Sequence, residues 1–161
     1  MSKIWFLGEA LSDFVPTSSK AGEAFAPRAG GSPFNAAKAA AQAGAQSGFL
    51  GAISNDMFGE QLLQDLLDHA IDTSQTPRTS DPCTLAFVAL KDGAARYAFY
   101  NALSAIQLMN PDPSAFQPSE GDILSFGSIS LIDKPGADNI AAFARAKAGE
   151  AIIALDPNAM M

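Results

Sequence analysis

The chain has 161 residues, 48% hydrophobic and 17% charged, enough apolar material for one domain with a substantial core and too much for a disordered segment. Ten Lys and Arg against 17 Asp and Glu give a net charge of −7 with no basic cluster, which argues against an electrostatic grip on nucleic acid or an anionic membrane. The single cysteine, Cys83, makes no internal disulfide and fits a reducing cytoplasm, and the apolar run at residues 4–7 is too short for a signal peptide or membrane span.

Apolar runs alternate with helical periodicities, the pattern of an α/β domain with a mainly parallel sheet. Residues 4–7 read as a short buried strand and 10–15 as a second, more exposed one. Residues 16–28, with Ser18, Ser19, Gly22 and Pro27, read as a loop or the strand of a lid. Gly30 and Gly31 then stand directly before Ser32, a favoured N-cap, and Pro33, suited to the first helical position; the helix runs to about residue 43, where Gly44 stops it. Two glycines at a helix start let a ligand approach the backbone, and first-turn N–H groups can be satisfied by hydroxyls, phosphate or water; the alternative is a tight strand-to-helix turn.

A strand at 47–52 follows, then a helix after Asp56 that places Phe58, Leu62, Leu63, Leu66, Leu67 and Ala70 on one face. Residues 84–90 and 95–101 flank Lys91-Asp92-Gly93-Ala94, a hairpin signal, with Tyr97 and Phe99 on one face of the second arm and Arg96, Ala98 and Tyr100 on the other. Residues 102–121 carry Pro111, Pro113 and Pro118 and read as a loop. Residues 123–127 form a buried strand, 135–148 a helix followed by Gly149, and 151–155 a last buried strand.

Asp13, just past a strand end, joins Gly30, Gly31 and Asn35 as a set of carboxylate, backbone and amide groups able to hold several hydroxyls at once; a solvated turn residue is the plainer reading of Asp13. His69 has no Cys or His company, which argues against a metal site, and one histidine supports no Ser-His-Asp triad. Asp122, in Glu120-Gly121-Asp122, leads into a buried strand and is not read as a catalytic base.

The segment from Ala29 to Ala37, followed by Gly48-Phe49-Leu50-Gly51-Ala52-Ile53-Ser54-Asn55-Asp56-Met57-Phe58-Gly59, resembles the first signature of the PfkB (ribokinase-like) family of carbohydrate kinases. Gly8-Glu9-Ala10-Leu11-Ser12-Asp13-Phe14 resembles the family's opening strand and sugar-binding aspartate, and Phe126-Gly127-Ser128-Ile129-Ser130-Leu131 a segment of its fructokinase-like members. Residues 84–100 resemble its lid, and Asp156-Pro157-Asn158 the start of its DPN motif. The resemblance implies an α/β fold: the N-terminal half of a ribokinase-like three-layer sandwich with a mainly parallel sheet and a small β lid. Residues 1–161 would then be a partial, sugar-binding domain with lid elements at about 10–29 and 84–101 inserted within it.

It further implies a cytoplasmic, ATP-dependent sugar kinase using magnesium, fructokinase-like, with a homodimer through the lid allowed. Asp13, Gly30, Gly31 and Asn35 would bind the sugar, Tyr97, Phe99 and Tyr100 would shield it, Gly127 and Ser128 would line the pocket, and Asn158 would approach the nucleotide phosphates. Asn101 stands where many relatives carry arginine, which speaks against a substrate phosphate or carboxylate. The family's Gly-Ala-Gly-Asp motif, source of the catalytic base, does not occur in these 161 residues, so no catalytic residue is assigned and the chain alone is expected to be inactive, a truncated kinase. The competing expectation is a noncatalytic, half-length sugar-binding or oligomerisation module. Within the kinase reading, fructose comes first, with 2-keto-3-deoxygluconate, ribose or a nucleoside behind it.

Overall fold

The computed structural model describes residues 2–20, 22–91 and 94–158; Asp92 and Gly93, the expected hairpin turn, lie outside that set. In chain order the elements are β1 (Lys3–Leu7), β2 (Leu11–Ser19), β3 (Gly22–Gly30), α1 (Ser32–Gln42), β4 (Gln46–Phe49), β5 (Ile53–Ser54) and α2 (Met57–Asp68). They continue with β6 (Arg78–Thr79), β7 (Thr84–Lys91), β8 (Ala94–Tyr100), β9 (Ile123–Gly127), a 3-10 turn (Ser128–Leu131), α3 (Gly136–Lys147) and β10 (Ile152–Asp156).

Four strands form a wholly parallel sheet in the order β10-β9-β1-β4. Consecutive β1 side chains point to opposite faces, so Trp5 and Leu7 enter one core with Leu124, Phe116 and the α3 residues Ile140 and Phe143, while Phe6 enters the other with Phe34 of α1, Phe49, and Leu62 and Leu66 of α2. The result is three layers, with α1 and α2 on one side of the sheet and α3 on the other. The proline-rich stretch before β9 has no regular element, as expected, yet its Ala105, Ile106, Met109 and Phe116 complete the α3-side core.

A second four-stranded sheet, in the order β3-β2-β7-β8, joins two antiparallel hairpins through a parallel β2–β7 pairing over Leu11–Phe14 and their partners Thr84–Phe87. Residues 16–28 are thus largely strand rather than loop. Pro16 lies beyond the stretch paired with β7, and Pro27 sits on the outer strand β3, positions where a missing N–H is tolerated. Cross-strand register puts Asp13, Arg28, Ala86, Val88, Tyr97 and Phe99 on one face. Phe14, Phe25, Phe87 and Tyr100 share the other, where Phe14 stacks on Phe87 at 4.7 Å and also meets Phe58 of α2 edge-on at 5.4 Å.

Two expectations are corrected, and one pairing is new. The two-residue strands β5 and β6 pair with each other and were not foreseen, being too short to show periodicity. Asp13 lies inside β2, not just past the end of β1, because the chain re-enters a strand at Leu11. The strand β10 is not buried: it pairs only with β9, and its Leu155 is 58% exposed.

Candidate functional site

The C-terminal end of the parallel sheet is where open α/β sheets gather ligand groups, and here β1 leads into Glu9, β9 into the Gly127–Ser128 turn, and β10 into Asn158. Helix α1 begins at the same edge, but its capping differs from the sequence expectation. Gly31 (φ 109°), not Ser32, occupies the N-cap position and makes no side-chain cap. The cap comes from 23 residues upstream: Glu9 Oε1 accepts the Ser32 N–H at 3.0 Å. Pro33 brings no N–H, and the Asn35 N–H closes on the Gly31 carbonyl at 2.9 Å, so part of the expected ring of ligand-facing donors is already engaged.

Glu9 was not singled out by sequence reasoning, yet it sits at the centre of this edge. It is 1% exposed, and its second oxygen, Oε2, accepts the Ser130 N–H at 3.3 Å. Burial raises its pKa from the ordinary carboxylate value, a shift opposed by hydrogen bonds from its own backbone, Ser128, Ser32 and Ser130. Ser130 Oγ in turn donates to the Gly127 carbonyl at 2.5 Å. Between them, Ser128 holds φ 64°, the left-handed region that a side-chain-bearing residue occupies only under constraint. Asn158 Nδ2 donates to Ser128 Oγ at 3.3 Å, so the one residue expected at nucleotide phosphates rests against the turn expected to line the sugar pocket.

Asp13 behaves differently. A Cβ at position 30 would run into its Oδ2, so the carboxylate lies in the space that Gly30 leaves open. Among the described residues no side-chain hydrogen bond or ion pair engages it, and burial alone raises its pKa. Its register partner Arg28 shares its face without an ion pair. The Asn35 side chain, in the first turn of α1, is exposed and likewise unengaged.

Tyr97 and Phe99 are on the Asp13 face, stacked on each other at 5.8 Å and about half exposed, whereas Tyr100 and Arg96 are on the opposite face. Asn101 is turned away to Asp133, donating from Nδ2 to Oδ2 at 2.5 Å. Thus Asp13, Gly30, Gly31, Asn35, Gly127, Ser128 and Asn158 form a connected set through Glu9, with Tyr97 and Phe99 joined to it by the sheet face they share with Asp13.

Other titratable groups have structural duties. Asp122 accepts from Lys3 N–H, Ser119 N–H and Trp5 Nε1–H; burial pushes its pKa up, and these hydrogen bonds more than offset that and lower it. Asp56 caps α2 through the Phe58 and Gly59 N–H groups and also takes the Cys83 N–H. The Cys83 thiol is pushed up to about 12, chiefly by burial and then by the Asp56 charge, which leaves it unreactive. Among the described residues there is no group of three or more His, Cys, Asp and Glu that could hold a metal ion. No described helix is long and apolar enough to cross a membrane.

Comparison with known proteins bears directly on this arrangement. The model of the pfkB family carbohydrate kinases matches residues 1–160. A fructokinase of Rhizobium leguminosarum bv. trifolii is 41% identical over 155 residues, covering 94% of this chain and 47% of that protein. The crystal structure of a fructokinase from Xylella fastidiosa superposes with a TM-score of 0.86 at 30% identity, over 98% of this chain and 51% of that one. A fructokinase from Vibrio cholerae O395 in fructose, ADP and calcium ion bound form superposes with a TM-score of 0.83 at 27% identity, over 99% of this chain and 51% of that one. The chain spans about half the length of the curated relatives it matches.

Proposed function

The chain belongs to the pfkB family of carbohydrate kinases, its fold matching the N-terminal half of the ribokinase-like α/β sandwich, and from this we propose that it is the sugar-binding part of an ATP-dependent fructokinase. The observation that carries the reading is the Asp13 carboxylate: partly buried against Gly30, without a hydrogen-bond or ion-pair partner among the described residues, and facing the same side as the Tyr97–Phe99 pair. An ionised carboxylate accepts two or more hydroxyl hydrogen bonds, and the free Asn35 amide adds a donor and an acceptor, a set suited to a polyol.

In this reading Asp13 and Asn35 orient the sugar, Gly30, Gly31, Gly127 and Ser128 form the backbone floor, and the β2–β3 and β7–β8 hairpins act as a lid. The stacked rings of Tyr97 and Phe99 cover the sugar and keep water from competing for the phosphoryl group. A neutral sugar is favoured over a sugar acid or phosphate because Glu9 already occupies the α1 N-terminus and Asn101 is engaged by Asp133. Catalysis of phosphoryl transfer is mainly positioning and electrostatic stabilisation. The groups these residues supply position the acceptor; the family's Gly-Ala-Gly-Asp base is not among them, and Asn158 is the one residue here assigned to the nucleotide side.

Calorimetric titration with fructose tests the assignment. Asp13→Ala in the full-length protein loses a hydrogen-bonded charged group, and fructose affinity falls more than about tenfold with ATP affinity little changed. Normal fructose binding by Asp13→Ala would sink the reading. The 161-residue chain assayed by itself with ATP, magnesium and fructose shows no turnover, and turnover there would require a base among the residues present.

A further inference from the structure

We propose that Glu9 is a positioning residue for the sugar site: a buried carboxylate bracket that fixes the Gly30–Gly31 turn at the start of α1 against the strained Gly127–Ser128 turn after β9. The inference rests on the sugar-site reading above.

The two turns are far apart in sequence, and the Glu9 side chain bonds to both. One oxygen takes the Ser32 N–H at 3.0 Å and the other the Ser130 N–H at 3.3 Å. Both partners are donors and an ionised carboxylate is an acceptor only, so the fit is one-way; a glutamine of the same shape would turn an NH2 group toward one of the two N–H donors. The bracket is tightly placed, since a Cβ on Gly31 would strike the Glu9 backbone and one on Gly8 would strike Pro33 and Ser130 Oγ. At the far end Ser128 keeps its left-handed φ of 64° while Ser130 Oγ ties down the Gly127 carbonyl and Asn158 holds Ser128 Oγ. Such a backbone conformation persists only where the surroundings over-determine it. Release of the Glu9 end frees the Gly127–Ser128 turn to relax and moves the floor under the sugar relative to Asp13.

Steady-state kinetics of the full-length protein, with fructose and ATP varied separately, test the role. Glu9→Gln raises the fructose KM on the order of tenfold and leaves the ATP KM within about twofold. Ser130→Ala, which removes the Gly127 tie and keeps the backbone N–H that Glu9 accepts, raises the fructose KM about two- to fivefold. A purely structural Glu9 gives another pattern: less folded enzyme and a lower apparent kcat, with the fructose KM unchanged, and that result overturns the proposal. If Glu9→Gln yields no folded protein, Glu9→Asp, which keeps the charge but shortens the reach between the Ser32 and Ser130 N–H groups, decides instead, and a wild-type fructose KM in it overturns the bracket. A wild-type protein that does not use fructose overturns the parent reading and this role with it; an active wild type with an unmoved fructose KM in the folded Glu9 variant overturns the positioning role only.

Discussion

Glu9 and Asp13 stand four residues apart on one stretch of chain, Gly8 to Phe14, yet the parallel sheet and the mixed sheet treat them in opposite ways. At the end of β1 the carboxylate is enclosed and both oxygens are spoken for by backbone N–H groups. On β2 it is half open, leans into the gap at Gly30, and is left with its accepting capacity intact. The aromatic residues divide in the same manner. Phe34 and Phe49 are completely buried and meet edge-on at 6.0 Å beside the parallel sheet, whereas Tyr97 and Phe99 stack in the open, 48% and 44% exposed. Beside the parallel sheet the glutamate is engaged by backbone N–H groups and the rings are enclosed; on one face of the mixed sheet the aspartate has no protein partner among the described residues and the rings lie open, which suits the ligand-binding role proposed for that face.

The largest effect expected from this contrast is in stability. Phe34→Ala removes a fully enclosed ring and lowers the unfolding free energy by about 3–5 kcal/mol, while Phe99→Ala changes it by less than about 1 kcal/mol and instead raises the fructose KM several-fold. Denaturant titration and fructose kinetics on the two variants would break the comparison if the ranking reversed. A middle-sized effect is expected in hydrogen exchange. Amides of β7 and β8 exchange faster than those of β1 and β9 in the absence of sugar, and saturating fructose slows the former selectively. Equal protection with and without fructose would count against a lid.

The smallest effect concerns Asp13 itself. Its folded-state pKa is raised above the ordinary 3.8 by burial, so ionisation is harder in the folded protein than in the unfolded chain. The contribution of this group to stability is therefore fully present below its unfolded value and lost as pH rises through the raised folded value. Asp13→Asn relieves the burden at neutral pH and raises Tm slightly, an increment that disappears in acid, even as fructose binding is lost. Thermal melts at pH 7 and pH 3.5 check the sign; a lower Tm for Asp13→Asn at pH 7 would mean that an unrecognised partner holds the carboxylate.

Much of the fold was legible because its signals are local. Gly30-Gly31-Ser32-Pro33 marks a strand-to-helix turn, Asp56 caps α2 through the two N–H groups that follow it, and residues 123–127 match β9 residue for residue. The alternation in the hairpin placed Tyr97 and Phe99 on a common face, and the register bears that out. What could not be read depends on partners distant in sequence. The α1 cap is supplied by Glu9 rather than Ser32, and the role of Glu9 needs Ser130, 121 residues away. For residues 16–28 the sequence left loop and lid strand open, and the strand alternative holds because Pro16 and Pro27 sit where a missing N–H is tolerated. A single glutamate after a glycine carries no local sign that it will be buried.

The space at Gly30 ties two positions into one evolutionary unit. Because the carboxylate of Asp13 fills the volume where a Cβ would stand, a side chain at position 30 must displace it: a library that randomises position 30 with Asp13 fixed, selected for fructose use, should favour glycine. Randomising positions 13 and 30 together opens combinations closed to either one singly, each with a differently shaped recess and hence a route to a different substrate preference.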